Sequence, residues 1–205
     1  KVILDVDPGT DDALAIMMAL NSPDLTVSGI TTVGGNATLF DTTRNTLRLL
    51  DALGKTPRLF RDGCSVIVSP GSSRPLRGRY QYGYYYHGST GLGIRLPSPK
   101  SKPHSVRAED FIIEQASSDQ ERLTIIALGP LTNIAHALRK NPHLGSQLRE
   151  IVIMGGAFNV PGNITQAAEF NVYNDPAAAS FLFSAGIPIT LIPPDVCELT
   201  YLAQI

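Results

Sequence analysis

The stretch Val2-Ile-Leu-Asp-Val-Asp-Pro-Gly-Thr-Asp-Asp-Ala-Leu-Ala-Ile16 sets the frame for the whole chain. Val2-Ile3-Leu4 is a short apolar run with the length of a buried strand. Asp5 and Asp7 follow where that strand should run out, and Pro8-Gly9 forces a turn. Thr10 is placed to cap the next element, with Asp11 and Asp12 in its first turn and Ala13, Leu14, Ile16, Met17 and Leu20 at helical spacing. Four carboxylates therefore crowd one strand-to-helix junction. Like charges at that distance repel and raise one another's pKa. A cation offsets the repulsion, and a donor set made only of oxygen suits a hard ion, Ca²⁺ or Mg²⁺, rather than Zn²⁺. The helix macrodipole alone accounts for Asp11 and Asp12 as ordinary first-turn residues. It leaves Asp5 and Asp7, on the strand side of the turn, unexplained.

Outward from this junction, composition narrows the class. The 205 residues suit one domain with a sizeable core, so 1–205 reads as a single unit. A net charge of −1 gives no sign of a nucleic-acid or membrane surface. No apolar run is long enough to span a bilayer, and no signal peptide is visible at Lys1. Cys64 and Cys197 have no metal-ligand spacing and make no disulfide framework, so a reduced, cytoplasmic compartment is the expectation.

Strand-like runs alternate with helical patterns, which predicts an α/β fold, a mainly parallel central sheet flanked by helices in a Rossmann-like arrangement. The expected strands are Val2–Leu4, Leu25–Val33, Pro57–Phe60, Leu123–Leu128, Ile151–Met154 and Ile189–Ile192. The expected helices follow Thr10, run from Ala37 to Leu53, from Val106 to Ala116, from Asn133 to Lys140, and onward from Pro176 with Asp175 as N-cap. Residues 69–103 form a long loop rich in Gly, Pro, Ser and Tyr, and such a loop inside a compact domain is functional or mobile. A second long loop runs from Gly155 to Tyr173. Ligands of such sheets bind beyond the carboxyl ends of the strands. The polar clusters at Asp7–Asp12, Gly34–Asn36, Leu128–Asn133, Met154–Asn171 and Asp195 all fall there.

The segment DVDPGTDDALAI resembles the N-terminal signature of the calcium-dependent nucleoside N-ribohydrolases, the inosine–uridine-preferring nucleoside hydrolase family. Three further segments, Thr31-Thr-Val-Gly-Gly-Asn36, Ala127-Leu-Gly-Pro-Leu-Thr-Asn133 and Ile153-Met-Gly-Gly156 with Gly162-Asn163 and Ala168-Glu-Phe-Asn171, resemble the family's later motifs in order. The resemblance implies the nucleoside hydrolase fold and hydrolysis of the N-glycosidic bond of ribonucleosides to ribose and free base. It implies Ca²⁺ as cofactor, a ribonucleoside as small-molecule partner, and a homodimer or homotetramer. Asp7, Asp12 and the backbone carbonyl of Leu128 are then the ion's ligands, Asp11 the general base, and Asp5 an orienting group behind them. Asn36, Met154, Asn163, Glu169 and Asn171 are assigned to the ribose. His87, in His-Gly-Ser-Thr-Gly-Leu-Gly93, resembles the loop near the nucleobase, with Thr90 where the family has Asp. His104, His136 and His143 lack such company and read as structural.

Family members continue well beyond this point, and there supply a further calcium carboxylate and a His assisting the leaving base. The expectation is accordingly a C-terminally incomplete copy of the domain. Two other classes remain open at this level. A non-catalytic nucleoside-binding or interaction protein would share the pocket but release no ribose. A haloacid-dehalogenase-type phosphohydrolase would use Asp5-Val-Asp7, although Gly9 stands where that motif needs Thr or Val.

Overall fold

The computed structural model describes residues 1–55, 66–118 and 122–200. The strands are β1 (Val2–Val6), β2 (Val27–Thr32), β3 (Ile67–Pro70), β4 (Leu123–Ala127), β5 (Leu148–Met154) and β6 (Ile189–Ile192). The helices are α1 (Thr10–Asn21), α2 (Leu39–Ala52), α3 (Tyr84–His87), α4 (Ala108–Ser117), α5 (Thr132–Lys140), α6 (Leu144–Gln147), α7 (Phe170–Asn174), α8 (Pro176–Phe183) and α9 (Pro194–Cys197). All six described strands join one parallel sheet in the order β3-β2-β1-β4-β5-β6. This is the α/β architecture expected from the alternation of elements.

The alternation of side chains along β1 builds a core on each face of the sheet. Ile3 packs with Ile125, Ile151 and Ile153 against α4, α5 and α8, through Phe111, Ile134, Leu138 and Leu182. Val2, Leu4 and Val6 point the other way, with Ile30, to meet Ile16 of α1 and Leu47 and Leu50 of α2. Gly29 lets α4 close on β2, since a Cβ there would lie 2.5 Å from the Phe111 ring.

The order reverses between β2-β1 and β4-β5, so the switch point lies between β1 and β4. Chain ends of strands at such a point open a crevice that loops cannot fill. β1 and β4 pair through Asp5 and Ala127, and the Leu128 N–H donates to the Asp5 carbonyl at 2.8 Å. Asp7 and Leu128 thus emerge side by side at the mouth of that crevice.

Several expectations need correction. Gly9, not Thr10, is the N-cap of α1; Thr10 is its first residue, and its hydroxyl donates to the Leu92 carbonyl at 3.3 Å. Asp5 lies within β1 rather than beyond it. Residues 67–70 form an edge strand, where the sequence reads as the start of a loop; Pro70 is tolerated there because an edge strand need not donate on both sides. Phe170–Asn174 is a helix within the second loop. The expected strand Pro57–Phe60, and Cys64, lie outside the described residues.

The 69–103 loop is stitched to the body rather than detached. The Tyr84 hydroxyl donates to Asp41 of α2 at 2.7 Å, Asn45 donates to the Thr90 carbonyl at 2.8 Å, and the Lys100 N–H donates to Asp51 at 2.5 Å. Asn174, at the end of α7, holds both backbone groups of Gln81, at 2.7 and 3.2 Å. No described helix is long and apolar enough to cross a membrane.

Candidate active site

Three buried carboxylates form the base of the site. Asp5 sits on the Ile3 face of β1, where its Oδ1 accepts from the Thr31 hydroxyl at 2.5 Å and from the Asn133 amide at 2.8 Å. Burial pushes its pKa up to about 6 against these bonds. Asp7 is fully buried and lies in a cradle of two glycines. A Cβ at Gly35 would collide with Asp7 Oδ2, and one at Gly129 would lie 2.6 Å from Asp7 Oδ1. The Asn36 N–H donates to Asp7 Oδ2 at 2.6 Å. Burial, then the nearby Asp12 charge, hold the Asp7 pKa well above the usual carboxylate range. Asp12 uses Oδ2 to accept from the Gly9 N–H at 3.0 Å, closing the first turn of α1. Burial, followed by the Asp11 charge, pushes it up to about 7.

One oxygen on each of these groups, Asp5 Oδ2, Asp7 Oδ1 and Asp12 Oδ1, is buried with no partner. Buried polar atoms are normally satisfied, so three orphans in one place call for a missing positive group. Among the described residues no three His, Cys, Asp or Glu side chains converge as a ready cage. The donors that do fit a hard cation are two carboxylates, Asp7 and Asp12, and the carbonyl of Leu128. That carbonyl accepts one bond, from Asn171 Nδ2 at 2.8 Å, and keeps a second lone pair.

Above this base opens a cavity of about 500 Å³. Asp11, Asp12, Asn36, His87, Leu128, Met154, Asn163, Glu169 and Asn171 all line it. Asp5 and Asp7 do not reach the cavity and lie beneath it. Nine site residues drawn from five chain segments therefore share one wall. Tyr86, Phe170 and Cys197 also line it and were not singled out from sequence. Tyr86 sits in a run of tyrosines that offers no local means of choosing one, and Cys197 arrives on the short helix α9. It is a free thiol, and burial pushes its pKa up.

The polar groups of the wall divide into engaged and available atoms. Glu169 caps α7: Oε1 accepts from Asn171 N–H at 2.8 Å, and Oε2 from Val172 and Gly156 N–H, both at 3.1 Å. Burial raises its pKa nonetheless. Asn163 uses its Oδ1 to accept from the Phe170 N–H at 2.8 Å, which leaves its amide NH₂ toward solvent. Asn171 uses its NH₂ on the Leu128 and Met154 carbonyls, at 2.8 and 3.2 Å, which leaves its Oδ1. One side chain thus presents a donor and another an acceptor, the mixture that vicinal hydroxyls require. His87 Nδ1 accepts from the Thr10 N–H at 3.4 Å, which ties its loop to the first turn of α1. A Cβ at Gly9 would lie 2.5 Å from the His87 ring, so the glycine lets the loop close onto α1. Asp195, with an exposed carboxylate, accepts from Asn159 and Phe158 N–H and pins the second loop instead of entering the cavity.

Comparison with known proteins gives the same direction. A family model described as inosine-uridine preferring nucleoside hydrolase matches residues 2–204. Uridine nucleosidase 1 of Arabidopsis thaliana is 43% identical over 194 residues, covering 94% of this chain and 55% of that protein. The pyrimidine-specific ribonucleoside hydrolase RihA of Escherichia coli is 42% identical over 205 residues, covering 100% of this chain and 62% of that protein. The solved plant nucleoside hydrolase PpNRh1 superimposes with a TM-score of 0.89 at 39% identity, over 98% of this chain and 62% of its own. The chain spans between 55% and 62% of the length of these relatives. With the motifs in order along one parallel sheet and their side chains around one cavity, the chain belongs to the inosine–uridine preferring nucleoside hydrolase family.

Proposed function

We propose that this protein hydrolyses the N-glycosidic bond of ribonucleosides, releasing ribose and the free base. The observation that carries the reading is the pair of buried, unpartnered oxygens Asp7 Oδ1 and Asp12 Oδ1 at the base of a cavity whose wall mixes carboxylates and amides with apolar side chains. Asp7, Asp12 and the Leu128 carbonyl would hold a calcium ion. Bound there, it supplies the positive charge these groups lack and lowers the pKa of a neighbouring water. Asp11, exposed on the first turn of α1 and facing the cavity, takes the proton of the attacking water. Asn36, Asn163, Glu169 and Asn171, with Met154 beside them, receive the ribose. His87 and its loop face the base. The ring develops positive charge as the base departs, and the carboxylate-rich wall stabilises it.

A second assignment of the base has its own support. Asp7 has an unpartnered oxygen, and burial with the neighbouring Asp12 charge holds its pKa well above the usual carboxylate range, so its carboxylate holds a proton more readily than an ordinary one. Family membership leaves the phosphohydrolase reading without support, whereas the non-catalytic one is decided by assay. Full-length protein should release ribose from uridine and inosine, lose that activity on chelation, and regain it with Ca²⁺. Nucleoside binding without ribose release would establish the binding-protein alternative. We further expect a homodimer or homotetramer; a monomer alone in light scattering at micromolar concentration would count against it.

The raised carboxylate pKa values set a pH dependence. Asp5 and Asp12 bind protons more tightly in the folded chain, at about 6 and about 7, than at their ordinary 3.8. Folding is then favoured at low pH, and stability of the ion-free chain falls as pH rises from roughly 4 to roughly 7. A cation binds the ionised forms, so its stabilising effect should grow over the same window. Melting temperatures in chelator should drop from about pH 5 to about pH 8. The increment from added Ca²⁺ should widen across that range. An increment equal at both ends would remove Asp12 as its ligand.

A further inference from the structure

Behind the wall of the cavity lies a second buried polar group that none of the roles above employs. Asp175 is fully buried. Its Oδ1 accepts from the Ala178 N–H at 3.0 Å, the expected cap of α8. Its Oδ2 does something else: it accepts from the Thr132 hydroxyl at 2.7 Å and from the Leu76 N–H at 2.8 Å. The Thr132 oxygen lies 2.7 Å from the Tyr80 hydroxyl. A carboxylate only accepts, so the Thr132 proton points to Asp175 and the Tyr80 proton to Thr132. Burial pushes the Tyr80 phenol well above its ordinary range, which keeps that proton in place. The direction of the whole chain of bonds is therefore fixed.

Its far end rests on the site. The Tyr80 ring lies so close to Gly34 that a Cβ there would be 2.9 Å from two ring carbons. Gly34 opens the turn that carries Gly35, the cradle of Asp7, and Asn36, whose N–H donates to Asp7 and whose amide reaches Asp12 at 3.4 Å. The Asn36 carbonyl in turn accepts from the Gly83 N–H at 2.9 Å, at the start of the segment bearing His87. At the other end, Thr132 is the first residue of α5, four positions after Leu128. Thr132 and Tyr80, through one hydrogen bond and one ring contact, thus join segments that carry Leu128, Asn36 and His87.

We propose that the Asp175–Thr132–Tyr80 chain is a positioning device for the reaction: it sets the Gly34–Asn36 turn, and through it Asp7, against the rest of the site. The inference rests on the proposed nucleosidase reading for its kinetic consequence, but not for its structural one. Outer groups that orient ligands commonly alter activity or metal affinity 10–100-fold when removed.

The test replaces Thr132 with Val, which keeps the shape and deletes the hydroxyl, and with Ser, which restores it. Tyr80→Phe removes one bond while leaving the ring on Gly34, and serves if Thr132→Val does not fold. Amide hydrogen exchange by NMR is the first readout. Exchange of the Asn36 and Gly83 amides should speed up about tenfold or more in Thr132→Val, and less in Tyr80→Phe, while amides of the central strand β4 such as Ile125 stay protected. Thr132→Ser should return the wild-type pattern. Full-length Thr132→Val should also lose about 10–100-fold in kcat for ribose release, which Ser rescues. Ile134→Val, a core change on the same helix, should keep kcat at whatever cost in melting temperature. Unchanged Asn36 exchange, or a uniform rise across β4 as well, would overturn the proposal. Wild-type protein that releases no ribose would strike the nucleosidase reading, and the exchange pattern would still decide this one.

Discussion

Replacing Asp11 with Asn in the full-length protein should lower turnover of uridine and inosine by roughly 10²–10⁴-fold, the usual worth of a positioned general base. The amide keeps the size of the side chain and its place on the first turn of α1. It cannot take a proton. Asp7 and Asp12, which are proposed to hold the ion, are untouched, so calorimetric Ca²⁺ affinity should stay close to wild type. The groups proposed to receive the ribose, Asn36, Asn163, Glu169 and Asn171, also remain, so the loss should appear in kcat more than in KM. Glu169→Gln offers a contrast. Its carboxylate holds three backbone N–H groups, and an amide can accept at only one oxygen. That variant should loosen the start of α7 and raise KM as well. A near-normal kcat for Asp11→Asn would transfer the base role to Asp7. Asp7→Asn would then abolish turnover, and its effect on kcat would exceed anything explained by reduced ion affinity.

A single methyl group at Gly35 should be as damaging as loss of a carboxylate. Its Cβ would collide with Asp7 Oδ2 and lie 2.8 Å from Pro130 Cδ. Neither neighbour is the free end of a flexible chain. Asp7 is buried and held by the Asn36 N–H, and Pro130 is a ring fixed in the turn after β4. Something must shift, and the part with most freedom is the Asp7 carboxylate itself. Overpacking of this kind costs about 1–3 kcal/mol of stability. The functional cost should be larger: Ca²⁺ affinity down by roughly 100-fold or more, near the upper end of what misplacing an ion's ligand shell produces. Turnover should fall at least as far. Isothermal titration with Ca²⁺ beside a melting curve separates the two effects. Affinity within a few-fold of wild type would mean that Asp7 does not bind the ion in the orientation described.

What the sequence discloses, and what it hides, follows from how local each signal is. β1 and its turn are legible because an apolar run, a Pro-Gly and a helical period stand within fifteen residues. Asp175-Pro176 announces α8 for the same reason, a preferred cap before a preferred first residue. α7 escapes because its cap is Glu169, an uncommon choice that needs a folded loop to work. Edge strand β3 escapes because four residues ending in Pro look like the start of a loop. The acidic cluster could be read from spacing, but the partner of Asp5 could not. Asn133 is 128 positions away, and only the pairing of β1 with β4 brings it near. Likewise Glu169 reads as a sugar ligand from its motif, whereas the fold shows it already holding three backbone donors.

The parallel pairing of β1 with β4 also bears on how the molecule is made. Val2 must find Thr124, and Asp5 must reach Ala127, before the central pair of strands exists. Closing so long a loop is slow, because its entropic cost precedes any contact that repays it. At neutral pH the same step drags Asp5, Asp7 and Asp12 out of water from their ionised state, and burial disfavours that state. Newly synthesised chains therefore meet their steepest electrostatic cost at the step that is also topologically hardest. Refolding at mildly acidic pH should outpace refolding at neutral pH in chelator, so the metal centre would act on the rate at which the fold is reached as well as on its chemistry.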